Sequence, residues 1–240
     1  MSGMNKTPYQ EFAREKLGFE FTNLDLLITA LTHRSYVNEH KKSVQHHNER
    51  LEFLCDAVLE LAVTEYLFTN FVEPEGILTS WRAALVRTES IGAAGDELGY
   101  GPLIRMSKGE KNSSDRARLQ MLANAFEAVI GAIYLERGFD DARDFIHKHI
   151  IVKLDGILES GSWRDPKSYL QEISQRVDGH TPVYKVLHEE GPDHDKVFTL
   201  GVFVGDNLMG RGSGSSKQSA QQEAARAAIA AYKQSGSDCK

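Results

Sequence analysis

Two helical stretches in this chain carry acids amid apolar neighbours, and they restrict how the rest can fold. In His47 to Val58 (HNERLEFLCDAV), Glu49, Glu52 and Asp56 stand three, four and seven residues apart, so they share one helix face. In Leu122 to Ile130 (LANAFEAVI), Asn124 and Glu127 share a face in the same way. Acids at such spacings usually mark the solvated side of an amphipathic helix. Here Leu51, Phe53, Leu54, Ala57, Val58, Leu61 and Ala62 surround the first stripe, while Met121, Leu122, Ala125, Phe126, Val129 and Ile130 surround the second. Little of either helix is left for bulk water, so the two are expected to pack stripe to stripe. Like charges on one face repel unless a proton or a cation offsets them. Carboxylate and amide oxygens together suit a hard divalent cation such as magnesium.

The periodicity changes once along the chain, near the small and polar run LESGSWR at residues 158–164. Before it the pattern is helical, with candidates at Tyr9–Leu17, Asn23–Thr32, Arg50–Asn70, Glu75–Val86 continuing through Leu98, Gln120–Arg137 and Asp140–Leu158. The polar stretch Gly109 to Arg118 (GEKNSSDRAR) is expected to be a mobile loop. After the linker, Asp165 and Pro166 open a helix through Arg176. Three extended runs follow, Val183–His188, Lys196–Val204 and Asn207–Arg211, and then an alanine-rich helix from Lys217 to about Gln234. The fold class is therefore an all-α domain over 8–157, a linker over 158–164, and a small α+β domain of order α-β-β-β-α over 165–235.

At 240 residues and 41% apolar, the chain is long enough for two globular domains and too hydrophobic to be disordered. No apolar run approaches the roughly 20 residues that span a bilayer, and the start (MSGMNKTPYQEF) lacks a signal-peptide pattern, so no membrane association and a cytoplasmic location are expected. Cys55 and Cys239 are too few and too far apart for a disulfide framework or a thiolate zinc site.

Four motifs, ALTHRSY (Ala30 to Tyr36), the nine residues Asn48 to Asp56, PEGILT (Pro74 to Thr79) and LANAFE (Leu122 to Glu127), stand in one order ahead of the second domain. In that order and approximate spacing the chain resembles bacterial-type ribonuclease III, an endonuclease domain followed by a double-stranded RNA-binding domain. The resemblance implies a magnesium-dependent endoribonuclease, with manganese as a possible substitute and no organic cofactor. Glu52, Asn124 and Glu127 would surround the metal, Asp56 and Glu127 would serve the hydrolytic step, and Glu49 and Glu75 would be auxiliary acids near the cleavage site. It further implies a homodimer with Phe53 and Cys55 at the subunit interface, each subunit cutting one strand to leave a 5′-phosphate and a short 3′ overhang. The processing of ribosomal RNA precursors and other structured transcripts is the implied task.

Two positions depart from the family pattern. Asn124 stands where an aspartate is usual, which keeps a carbonyl oxygen but removes a charge, so weaker magnesium binding is expected. A tolerated variant, a form that traps RNA, and a double-stranded RNA-binding or ribosome-associated protein that does not cut all remain open; five retained acids favour the first. Cys55 stands where glycine is usual.

In the second domain the resemblance assigns RNA contacts to Gln171 and Glu172 on the first helix, to the loop Pro192 to Lys196 with His194 and Lys196, and to Lys217 at the start of the last helix. Residues 165–235 nonetheless hold eight Lys or Arg against nine Asp or Glu, a net of −1. Modest affinity and a shallow salt dependence follow, because the slope scales with the phosphates neutralised. His33, His40, His46 and His47 are expected to be ordinary solvated histidines, and Trp81 and Trp163 packing anchors rather than base-stacking platforms.

Overall fold

The computed structural model of the chain describes residues 5–192 and 196–234. The chain divides after Trp163 into two compact units. The first is helical: α1 (Thr7–Phe12, running on through a π-helical turn to Leu17), α2 (Leu24–Ala30), α3 (Arg34–Glu39), α4 (Glu49–Asn70), α5 (Glu75–Leu85), α6 (Thr88–Glu97), α7 (Asp115–Arg137), α8 (Phe139–His149) and α9 (Leu154–Ser160). The only β pairing among its described residues is an isolated bridge between Thr32 and Arg105. No helix among the described residues is long and apolar enough to cross a membrane.

Helix α7 is the axis of this unit. From Met121 to Ile133 nearly every residue except Asn124 and Glu127 is buried, with α2, α4, α6 and α8 packed around it. Close approach depends on glycines. A Cβ at Gly92 of α6 would lie 2.8 Å from the Leu119 carbonyl oxygen, and one at Gly95 would lie 3.0 Å from that of Leu122. This seating accounts for a break that the sequence did not reveal. Residues 75–98 were expected to run on as one helix, yet Arg87 is extended (φ −68°, ψ 151°) and α6 turns so that its glycine face lies on α7.

Two further expectations are corrected, and one short helix was not foreseen. Part of the loop expected over Gly109–Arg118 is helical, because the Ser114 hydroxyl oxygen accepts from the Ala117 N–H (3.3 Å) and caps α7 five residues earlier than its apolar pattern begins. The helix expected over Asp140–Leu158 breaks at Ile150, where the β-branched run Ile150, Ile151 and Val152 disfavours helix and forms a tight turn. The short α3 buries no residue and so lacks apolar periodicity; it starts where the His33 ring accepts from the Ser35 N–H (3.3 Å).

The second unit comprises α10 (Pro166–Asp178), β1 (Val183–Glu190), β2 (Val197–Val204), β3 (Asn207–Gly214) and α11 (Lys217–Gln234). The Asp165 carboxylate caps α10 by accepting from the Ser168 N–H (2.9 Å). The strands form an antiparallel sheet in the order β1-β2-β3, with Val186 opposite Leu200 and Val202 opposite Gly210. Leu170, Ile173 and Val202 meet Ala224, Ala225, Ala228 and Tyr232 in a separate small core. Strand β3 runs three residues past the expected Arg211. Its glycines 210, 212 and 214 alternate onto the face that meets α11, where a Cβ at Gly212 would lie 2.6 Å from the Ala220 carbonyl oxygen. Glycines 212 and 214 look like a loop in sequence, but all three let an alanine-lined helix lie flush on the strand.

Candidate active site

The first half of the site is built at the start of α4. Asn48 is buried and donates its N–H to the Thr32 carbonyl (2.9 Å), while Arg105 donates its N–H to Leu31 (2.8 Å) and accepts from the His33 N–H (2.9 Å). The ALTHRSY segment therefore works as a brace that fixes where α4 begins. Ser35 extends the brace by accepting from the Ser107 N–H (3.0 Å), and the Arg105 guanidinium lies over the Tyr36 ring, 4.2 Å from its centroid. His33 is thus an integral half-buried member of this framework, and burial holds its pKa below the usual value.

The second half is the seating of α4 on α7. Gly131 of α7 lies against the Leu51 carbonyl so closely that a Cβ there would collide with it. Glu127 is one helical turn before Gly131, and Glu52 directly follows Leu51. The glycine contact thereby sets the two acid-bearing stripes face to face. Sequence reasoning missed Gly131; a glycine in the middle of an apolar helix, four residues after a buried acid, was its signal.

Across this seam the carboxylates feel one another. Glu127 is half-buried, and its carboxyl is pushed up to about 7, first by burial and then by the negative charges of Glu52 and Asp56. Glu52 is raised in the same direction by burial, Glu49 and Asp56, and its buried Oε2 has no hydrogen-bond partner. Asp56 is exposed at the rim. Glu49 is held at the periphery by Arg34 (3.4 Å) and His47 (3.8 Å). Asn124 lies one turn before Glu127, its Oδ1 accepting from Gln120 Nε2 (2.7 Å). Gln120 is a second residue that sequence reasoning passed over.

Glu75 does not join this group within one chain. It opens α5 beside a different cleft, lined by Phe68, Val72, Leu78 and Arg82. Cys55, expected at the subunit interface, points the other way. It is fully buried in the domain's own core, and burial together with Glu127, Asp56 and Glu52 pushes its thiol well above the usual value. Phe53 is two residues earlier, about 200° around the helix, and is 80% exposed.

Among the described residues, no group of three His, Cys, Asp or Glu side chains has closed to ligand geometry. The acids stand within repulsive range of one another without sharing a point. A divalent cation still fits the residues present: every donor is a hard oxygen, one carboxylate oxygen is buried without a partner, and the repulsion among Glu52, Asp56 and Glu127 favours a proton on Glu127 in the cation's place.

In the second unit, Gln171 and Glu172 are exposed on α10. Lys196 and Lys217 converge on Glu189, a residue sequence reasoning did not single out, at 3.5 and 3.3 Å. His194 lies outside the described residues.

The comparisons with known proteins agree with this architecture. The Ribonuclease-III-like family model matches residues 23–154, and the Double-stranded RNA binding motif matches residues 166–232. The chain belongs to the ribonuclease III family. It is 44% identical over 216 residues to Ribonuclease 3 of Oceanobacillus iheyensis, covering 90% of this chain and 94% of the relative. It is 43% identical over 217 residues to Ribonuclease 3 of Desulforamulus reducens, covering 90% and 88%. Among solved structures it is similar to the nuclease domain of ribonuclease III from Campylobacter jejuni, at 44% identity and a TM-score of 0.51, covering 60% of this chain and 94% of that one. That structure is described for flexibility in a region involved in dimer formation. The family places this chain among the double-stranded-RNA endoribonucleases.

Proposed function

We propose that this enzyme hydrolyses phosphodiester bonds of double-stranded RNA with magnesium, or manganese in its place, held by Glu52, Asn124 and Glu127. The observation that carries this reading is the half-buried seam between α4 and α7, where Glu52 and Glu127 repel each other and one Glu52 oxygen lacks a partner. A bound divalent cation supplies charge that makes water nucleophilic and stabilises the departing oxyanion. Glu52 and Glu127 would offer carboxylate oxygens, Asn124 would offer the carbonyl that now accepts from Gln120, and the exposed Asp56 would assist the hydrolytic step. No side-chain nucleophile is needed. A 5′-phosphate and a 3′-hydroxyl on a short overhang are the proposed products, and ribosomal RNA precursors and other structured transcripts in the cytoplasm are the proposed substrates.

The working form is a homodimer. Phe53, Leu61 and Phe68 project from one side of α4, exposed at 80, 56 and 78%, with Val72 just beyond its end. A row of large exposed apolar side chains marks a surface that a partner covers, and a two-fold axis sets two equal sites against the antiparallel strands of a duplex. Glu75 would act in that assembly rather than within its own subunit. Residues 8–157 and 165–235 are the proposed nuclease and RNA-binding domains, joined by 158–164.

Incubating the purified protein with a long duplex and magnesium, beside Glu127→Gln, tests the reading. Cleavage by the first and near loss by the second are expected, with duplex binding retained by both. Asn124 gives one alternative a footing, a protein that binds without cutting; binding with no cleavage at any magnesium concentration would establish it instead.

A further inference from the structure

Three parts of the sequence that are far apart meet at one point of the second unit: the end of β1, the start of β2 and the first residue of α11. Glu189 on β1 pairs in register with Phe198 on β2. Lys196 and Lys217 lie above that Phe198 ring, their ammonium groups 5.9 and 5.5 Å from its centroid. Both ammonium groups reach the Glu189 carboxylate, Lys196 to Oε2 at 3.5 Å and Lys217 to Oε1 at 3.3 Å. One carboxylate thus bridges the two cations to which the resemblance gives RNA contacts.

We infer that Glu189 sets the affinity of the RNA interface, its carboxylate occupying between Lys196 and Lys217 the place that a duplex phosphate takes on binding. The inference rests on the proposed RNA contacts of these two lysines. A carboxylate and a phosphodiester present the same chemistry to an ammonium group: one negative charge spread over two acceptor oxygens. Both cannot hold the same pair of cations fully. Exposed ion pairs are weak, and the Lys217 side chain is 57% exposed, so the exchange is readily reversible and Glu189 tempers binding without blocking it. The carboxyl of Glu189 is held below the usual carboxylate range, chiefly by the hydrogen bond from Lys217, so it stays charged at neutral pH and competes throughout the working range. With one carboxylate set between two cations the pair still offers a phosphate net positive charge, but less than the two lysines would offer without Glu189.

The test is a binding titration of the full chain without divalent cations, using a labelled duplex of about 20 base pairs, longer than the roughly 16 that such a module spans. Wild type, Glu189→Gln, Lys217→Gln and the double variant are compared across a salt series, with circular dichroism melting to verify folding. Glu189→Gln is expected to tighten binding about three- to tenfold and to steepen the slope of log affinity against log salt by about one, as one more phosphate becomes neutralised. Glu189→Ser, which removes the charge with a different shape, is expected to change both in the same direction. Lys217→Gln weakens binding, and in that background the gain from Glu189→Gln falls by at least half. Unchanged or weaker binding by both Glu189 variants, with Lys217→Gln still weakened, overturns the inference alone. No effect of Lys217→Gln overturns the assigned phosphate contact, and the role of Glu189 falls with it.

Discussion

The sharpest consequence of the α4–α7 seam concerns stability without metal. Glu127 is raised from an ordinary 4.5 to about 7. Between those two values the folded chain holds a proton that the unfolded chain has released. Folding stability therefore falls as pH rises through this window: the contribution is fully present below about 4.5 and is lost as pH passes 7. The full displacement corresponds to about 3 kcal/mol at about 1.4 kcal/mol per tenfold change, and screening at a half-buried site reduces it to about 2 kcal/mol. Glu127→Gln keeps the shape and removes the charge. In a metal chelator at pH 7.5 it should stabilise the nuclease unit by about 2 kcal/mol, a rise in melting temperature of roughly 4–8 °C for a domain of this size. At pH 5 the gap should shrink to well under about 1 kcal/mol, because Glu127 is protonated in the folded state and only the proton released by the unfolded chain still counts. Both tryptophans, Trp81 and Trp163, lie in the first unit, so fluorescence melting of the full chain reports this unit alone. Equal melting temperatures at pH 7.5, or a gap as large at pH 5, would refute the argument that Glu127 is buried among repelling acids.

The remaining predictions address other joints of the molecule. Asn124→Asp should lower the magnesium midpoint for cleavage by a factor on the order of ten, the size of roughly 1.4 kcal/mol of added attraction; equal midpoints in parallel titrations would reject an amide deficit. Gly131→Ala should cost about 1–3 kcal/mol through collision with the Leu51 carbonyl, seen as earlier fluorescence melting, and should abolish cleavage by parting Glu52 from Glu127. Phe53→Glu should weaken self-association about 30-fold or more, the loss of a central apolar anchor worth roughly 2 kcal/mol; light scattering across a dilution series reads it, and an unchanged mass would remove Phe53 from the interface. Gly212→Val should unfold the second unit, since the side chain has no room beneath α11, while the tryptophan transition of the first unit stays where it was.

Much of this was legible from local chemistry. The acid stripes on α4 and α7 announced themselves because side-chain spacing on a helix is fixed, and the shift from period 3.6 to period 2 located the second module. What stayed hidden depended on distant partners. Nothing near Gly131 states that Leu51 will press against it, and nothing near Glu189 states that Lys217 will fold over it. Glycines 212 and 214 even argued the wrong way, since missing side chains suggest a loop until an alanine-lined helix is seen to need the space. Cys55 was misplaced for a related reason: its neighbour Phe53 faces outward, and one helix step of about 100° per residue carries position 55 to the opposite side.

The same geometry gives Asn124 a physical rationale. An aspartate there would add a further negative charge one turn from Glu127, on the stripe that already meets Glu52 and Asp56. Metal-free, that charge would push Glu127 higher still and deepen the loss of stability above neutral pH; with metal, it would tighten the site. Asparagine trades the second effect against the first, and Gln120 donates to its carbonyl so that the amide is satisfied when no cation is present. The two effects can be pulled apart in one variant. Asn124→Asp should need less magnesium for cleavage and yet melt at a lower temperature in a chelator, with the melting deficit shrinking as magnesium is restored. A variant that gained on both counts would show that repulsion across the seam is not what limits the metal-free fold.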